Sequence, residues 1–151
     1  PVAAADRPWL ESRLASHGLG DRVRLHGRRP PAEAWRLARG AWCGLALLED
    51  TPAFRDALPS KLYEYLTCGL PVVVTDLPRQ AAMVRESGAG EVVPAGPGAA
   101  AATADVLTRW STDPGSFAAA RAAAGRWRAA HVEADPYAGA AEDVARLAGR
   151  R

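Results

Sequence analysis

Two short apolar runs, separated by segments of helical spacing, constrain the fold of this chain more than any other feature. Residues 42–48 read WCGLALL and residues 72–74 read VVV. A continuous apolar run of strand length is typical of a strand that is covered on both faces. Strands that alternate with helices are joined by right-handed parallel crossovers. The sequence therefore predicts an α/β fold, a Rossmann-like parallel sheet flanked by helices, with a helical C-terminal part.

The other elements are predicted from apolar spacing and from the glycines and prolines that interrupt it. No linker is long enough to divide the chain, so we expect a single domain over residues 1–151, of which 99–151 form the helical C-terminal part. The first predicted helix starts near Trp9 and ends at the glycines of residues 18–20. The other predicted helices cover 31–38, 59–69, 78–86, 99–111, 114–131 and 137–149, and two further strands cover 23–26 and 91–93.

Composition and charge exclude several classes of protein. A chain of 151 residues that is 48% apolar and 24% charged has the composition of a globular domain. Its formal charge of +2 is too small to indicate a nucleic-acid partner, and it contains neither a membrane-length apolar run nor a signal-peptide pattern. We therefore expect a cytoplasmic protein. Cys43 and Cys68 are expected to be buried free thiols, because their spacing fits no metal site.

The chain carries eighteen arginines but a single lysine, Lys61, which stands between two carboxylates. Asp56 is followed by seven residues and then by Glu64. If a helix begins near Ser60, then Ser60, Lys61 and Glu64 fall on one side of it and the apolar side chains fall on the other. Asp56 precedes this helix and can point toward the same place.

The start of such a helix has the chemistry of an anion site. Its unpaired N–H groups and its dipole favour negative charge, and Lys61 adds a positive charge. A carboxylate such as Glu64, one turn along, accepts hydrogen bonds from hydroxyl groups. An anion joined to a polyol describes a nucleotide sugar. The alternative is an ordinary surface helix in which Ser60 is a cap and Lys61 contacts Glu64 or Tyr65.

The segment PSKLYEYLTCGLPVVVTD resembles the donor-binding signature of the retaining glycosyltransferases of the GT-B fold, group 1 (family 4) class. Their pattern is an acid, seven residues, a second acid, and then Ala/Cys-Gly-x-Pro-Val-Val. Glu64 matches the second acid, whereas Asp56 stands where the family usually has Glu, one methylene longer. Segments 21–27 (DRVRLHG) and 41–48 are also similar to strands of that family. The resemblance covers about residues 7–131 and implies a C-terminal donor-binding domain.

The resemblance implies a role for each matching residue. Glu64 would bind the ribose hydroxyls of the nucleotide, and Asp56 would contact the hydroxyls of the donor sugar. The backbone at the helix start, at Leu58 and Ser60, would approach the diphosphate, and Lys61 would add charge there. No catalytic nucleophile and no metal site are expected in this chain, since the family's transfer is metal-independent.

A second part of the expected site comes from an earlier segment. By the same resemblance, Gly27 and Arg28 would flank the nucleotide base, immediately after the strand predicted at 23–26. The alternative is that Arg28 and Arg29 are turn residues that face solvent.

The resemblance also implies parts that this sequence does not contain. The family's donor domain normally begins with a strand that carries a Gly-rich turn, and an N-terminal acceptor domain faces it across a cleft. We therefore expect half of a two-domain hexosyltransferase of glycan biosynthesis, inactive alone, which uses a UDP- or GDP-sugar and no other cofactor, and which meets membranes only through the missing parts. The alternatives are half of a sugar-nucleotide 2-epimerase and a non-catalytic binding domain.

Overall fold

The fold is described from a computed structural model of the protein, which covers residues 5–132. The helix predicted at 137–149 lies outside this range. The chain divides into two compact units, the first ending at Leu37 and the second beginning at Ala38. No helix in the described range combines the length and the apolar character that a bilayer crossing requires.

The first unit is built from helices and irregular segments. Helix α1 (Arg7–Ser16) confirms the first predicted helix, and α2 (Pro31–Arg39), which begins in this unit, confirms the second. Neither helix contains a fully buried residue. The strand predicted at 23–26 was wrong: this segment has no strand structure and Val23 is 39% exposed. Alternating polarity alone does not make a strand, because a strand also needs a neighbour to complete its hydrogen bonds.

The second unit contains a parallel sheet, as predicted, built from three of the four predicted strands. Strands β1 (Gly44–Ala46), β2 (Val72–Thr75) and β3 (Gly90–Val93) lie in the order β1-β2-β3. Gly44 pairs with Val72 and Val72 pairs with Gly90. Because all pairs are parallel, the carboxyl ends of the three strands meet at one edge of the sheet, which is where open α/β sheets bind ligands.

Four helices pack on this sheet and confirm the predicted alternation. They are α3 (Ser60–Thr67), α4 (Pro78–Ser87), α5 (Ala99–Thr112) and α6 (Pro114–His131). Their ends are set by local chemistry. Gly88 stops α4 in the left-handed region at φ 64°, which glycine adopts at little cost. The Asp113 carboxylate accepts hydrogen bonds from two amides of the first turn of α6, so it serves as the N-cap.

The core lies on both faces of β2, whose four residues are all buried. Val72 and Val74 belong to the cluster that α3, α4 and α6 cover. Val73 points to the opposite face, where it packs with Val106 and Trp110 of α5. This alternation follows from the two-residue period of a strand, and it explains why this central parallel strand is apolar at three successive positions, 72–74.

Strand β1 differs from the prediction. The run at 42–48 was predicted to be a strand buried on both faces, but only Gly44–Ala46 forms one, and Leu45 and Trp42 are 40% and 42% exposed. Within the described residues β1 is an edge strand that pairs only with β2. Helix α3 packs on β1, and Leu45 lies on a face that is only partly covered. Cys43 and Cys68 are free thiols as expected, although both are half-buried rather than buried.

Candidate functional site

The carboxyl edge of the sheet forms a cavity of about 680 Å³. Glu49, Asp50 and Thr51 line it from the loop that follows β1, residues 47–59. Thr75, at the end of β2, and Gly96, after β3, complete the wall. The cavity therefore combines two carboxylates, hydroxyl groups and backbone at the edge where ligands bind in folds of this kind.

A buried hydrogen-bond network fixes the beginning of the loop after β1. The Thr75 hydroxyl donates to the Leu48 carbonyl oxygen at 2.7 Å and accepts from the Leu48 N–H at 3.0 Å. Gln80, which is fully buried, donates through Nε2 to the Thr75 hydroxyl at 2.9 Å and to the Thr75 carbonyl at 2.8 Å. Buried polar groups are costly unless they are paired, so this network holds Leu48 firmly against the end of β2.

The rest of the loop runs through a series of turns to the start of α3. The Arg55 N–H donates to the Thr51 carbonyl oxygen at 2.8 Å, and the Arg55 guanidinium donates to Asp50 at 2.8 Å. This pairing with the Asp50 carboxylate, and the more distant charge of Asp56, raise the pKa of Arg55 above its ordinary value. At the far end, Arg79 of α4 donates to the carbonyl oxygen of Asp56 at 3.3 Å.

Helix α3 begins where the chain leaves this loop. Pro59 is extended, with φ −68° and ψ 135°, and no side chain caps the helix. The cap predicted for Ser60 in the surface-helix alternative is therefore not formed. Neither the Ser60 nor the Lys61 amide finds an acceptor among the described residues, so both donors are available at the positive end of the helix dipole.

The two sides of α3 are as the sequence predicts. Leu62 and Leu66 are fully buried in the core. Ser60 and Glu64, one turn apart on the opposite side, are exposed, and Lys61 is half-buried. The helix thus presents a hydroxyl and a carboxylate to solvent while its apolar side packs on the sheet.

The charged side chains of the predicted site form no ion pairs with one another within the described residues. The described part of the chain contains five ion pairs, and Asp56, Lys61 and Glu64 take part in none of them. Of the two contacts that the surface-helix alternative offers Lys61, the one with Glu64 is absent from these ion pairs. Asp56 is exposed on the last turn before α3.

Comparison with protein families identifies the family to which this chain belongs. Residues 4–127 match the family described as Glycosyl transferases group 1. The match spans most of the chain and includes the loop, α3 and all three strands. The chain belongs to this family. A search of curated proteins found no match.

In this glycosyltransferase domain, Gly27 and Arg28 lie in the first unit. They line a cavity of about 560 Å³ together with His26 and Arg29. Gly27 adopts φ 69°, where a side chain would be strained. Arg29 is held by the His26 carbonyl oxygen and by Glu33, at 2.9 and 3.1 Å, whereas Arg28 makes no ion pair within the described range. Their role beside a base stays a prediction.

Three residues around the loop are not marked by any motif in the sequence of this glycosyltransferase domain. Thr75 follows the apolar run of β2, and in the sequence nothing distinguishes it from an ordinary strand residue. Arg79 and Gln80 lie at a helix start that contains no motif. The bonds from Thr75 to Leu48 and from Arg79 to Asp56 join positions 23 or more apart in the chain, and Gln80 reaches the loop only through Thr75. Such contacts depend on how β2 and α4 pack, which spacing along one helix or strand cannot reveal.

Proposed function

We propose that this domain binds the nucleotide-sugar donor of a retaining glycosyltransferase, at the start of α3. Membership of the group 1 family supports glycosyl transfer in general. The observation that carries the finer proposal is the state of α3: two unbonded amides at its start, flanked by Asp56, Lys61 and Glu64, none of which is engaged in an ion pair within the described residues.

Each group at this place suits one part of a nucleotide sugar. The amides of Ser60 and Lys61, with the helix dipole, suit the diphosphate. The Glu64 carboxylate suits the two ribose hydroxyls, because an ionised carboxylate accepts two hydrogen bonds at once. Asp56, on the loop before the helix, is assigned to the hydroxyls of the sugar.

The chemistry of the proposed reaction needs little from this domain beyond binding and charge stabilisation. As the glycosidic bond to the diphosphate breaks, negative charge grows on the leaving oxygen. Donors that already point there stabilise this charge without reorganisation. In a retaining transfer the acceptor attacks from the face that the diphosphate leaves. We assign the acceptor site to a second, N-terminal domain, and a hexosyl donor and a cytoplasmic location stay predictions.

Binding measurements with Glu64→Gln test the proposal. We expect the parent chain to bind UDP or GDP weakly, on the order of 1 mM. Loss of the charged acceptor should weaken this binding by roughly 1.5–3 kcal/mol, about tenfold or more. Isothermal titration calorimetry with UDP, GDP, UDP-glucose and GDP-mannose gives the comparison.

The matched control is Glu86→Gln. Glu86 is an exposed carboxylate of α4 that makes no ion pair within the described range, so the variant loses the same charge at another helix. We expect it to bind as the parent does. Equal affinity of Glu64→Gln and the parent would remove the ribose assignment.

A further inference from the structure

We infer that Arg79, in the first turn of α4, is a positioning residue that holds the loop carrying Asp56 in place for the donor sugar. The inference deepens the proposed function and rests on it, because Asp56 matters for transfer only if this loop meets the donor. Arg79 itself is assigned no contact with the substrate.

The loop is tied to the sheet at its beginning. Leu48 is bonded through both its N–H and its carbonyl to the Thr75 hydroxyl, and Gln80 of α4 bonds the same hydroxyl. Thr75 and Gln80 are 1% and 0% exposed. This end of the loop cannot shift without breaking a buried network.

The end of the loop that carries Asp56 has fewer hydrogen bonds to other elements. The bonds inside the loop join near neighbours, as where the Phe54 and Ala57 amides donate to the Thr51 and Phe54 carbonyls at 3.0 Å. The ion pair between Arg55 and Asp50 also stays within the loop. The bond from Arg79 to the Asp56 carbonyl, at 3.3 Å, is the side-chain hydrogen bond that connects this end to another element.

Both ends of the loop are therefore held with the help of the first turn of α4. Gln80 bonds the Thr75 hydroxyl that holds the beginning of the loop, Arg79 bonds the end, and the two are neighbours at the start of α4. Because α4 packs on β2 and β3, it acts as a rigid support for the loop. Arg79 bonds the carbonyl of Asp56 itself, so it restrains the backbone from which the Asp56 carboxylate projects.

Arg79 is exposed, so replacing it leaves the core intact. Arg85, on the same helix, provides a matched control. It is also exposed and pairs with Asp76, which is not a loop residue, at 3.0 Å. Arg79→Ala and Arg85→Ala remove the same side chain from the same helix, and only the first removes a bond to the loop.

The first measurement is independent of any ligand. Hydrogen exchange followed by NMR reports the Phe54, Arg55 and Ala57 amides in the parent and in both variants. We expect Arg79→Ala to speed their exchange by about fivefold, the effect of losing one hydrogen bond, and Arg85→Ala to leave it unchanged. Arg79→Lys, which keeps a cationic hydrogen-bond donor, should restore part of the protection.

The second measurement separates sugar from nucleotide. If Asp56 contacts the sugar, the parent binds UDP-glucose more tightly than UDP, or GDP-mannose more tightly than GDP. We expect Arg79→Ala to lose about threefold to tenfold in affinity for the sugar nucleotide and to keep its affinity for the free nucleotide. A variant that was merely less stable would lose both.

A double-mutant cycle with Asp56→Asn completes the test. In Asp56→Asn the further change Arg79→Ala should have little effect on affinity, because residues that act through one another are not additive. Equal loop exchange in Arg79→Ala and Arg85→Ala would overturn the inference, as would equal affinities for the sugar nucleotide. If the parent binds no nucleotide, the proposed function fails, and the exchange rates still decide whether Arg79 holds the loop.

Discussion

Strands β1 and β2 come from apolar runs of similar appearance, yet they end in different surroundings. All four residues of β2 are buried, and β2 has a partner on each side. In β1 the middle residue, Leu45, is 40% exposed, and the described residues supply one partner. Apolar composition therefore reports which residues can be buried, whereas position in the sheet decides which of them are. The difference also predicts how each strand tolerates change.

The largest expected effect is at the junction of β2 and β3. A methyl group at Gly90 would overlap the carbonyl oxygen of Val72. The obstacle is backbone, so Gly90→Ala should force β2 and β3 apart and lower the free energy of unfolding by about 3 kcal/mol. Urea denaturation measures the loss.

Gly125 of α6 supplies the control for this substitution. A methyl group there would meet no atom within 4 Å, and alanine favours a helix over glycine by about 0.5–1 kcal/mol. Gly125→Ala should therefore stabilise the protein. A Gly90→Ala variant with the urea midpoint of the parent would show that β2 is not so tightly enclosed.

A smaller effect is expected at β1. A methyl group at Gly44 would overlap the ring of Tyr65, and a side chain can move where backbone cannot. Gly44→Ala should therefore cost about 1–3 kcal/mol. The double variant with Tyr65→Leu should recover part of this loss, since the two changes share one contact. Strictly additive losses in urea denaturation would show that the ring does not cover β1.

The smallest effect is a pH dependence on the β1 side. Burial, with the charges of Glu64 and Cys43, raises the pKa of Tyr65 above its ordinary value. Above about pH 10 the unfolded chain loses this proton while the folded chain keeps it, so stability falls as pH rises through that range. Below about pH 10 both the folded and the unfolded chain keep the proton, so Tyr65 does not make the free energy of unfolding depend on pH.

Urea midpoints between pH 8 and 11 measure this dependence. Tyr65→Phe should flatten the curve above pH 10, and Tyr63→Phe, which changes an exposed ring of the same helix, should leave it as in the parent. Burial also raises the pKa of Cys43 above its ordinary value, so a separate decline should begin nearer pH 9 in all three proteins. Identical slopes in Tyr65→Phe and the parent would contradict the burial of this hydroxyl.

Much of the fold could be predicted because it depends on local pattern. The apolar side of α3 at Leu62 and Leu66 follows from helical spacing, and the stop of α4 at Gly88 follows from backbone conformation. The segment 23–26 and the length of β1 could not be predicted, since both depend on a neighbouring strand. The family motif indicates the candidate site, whose residues stay predictions, but the bond from Arg79 to the loop arises from packing.

The position of Lys61 has a practical consequence. It is the chain's one ε-amino group, it is half-buried, and it sits beside the unbonded amides that open α3. Acylating reagents should therefore modify a single side chain, apart from the terminal amine. The rate of that labelling, followed by mass spectrometry, offers a direct footprint of whatever occupies the helix start, without a chromophore, a radiolabel or a known acceptor.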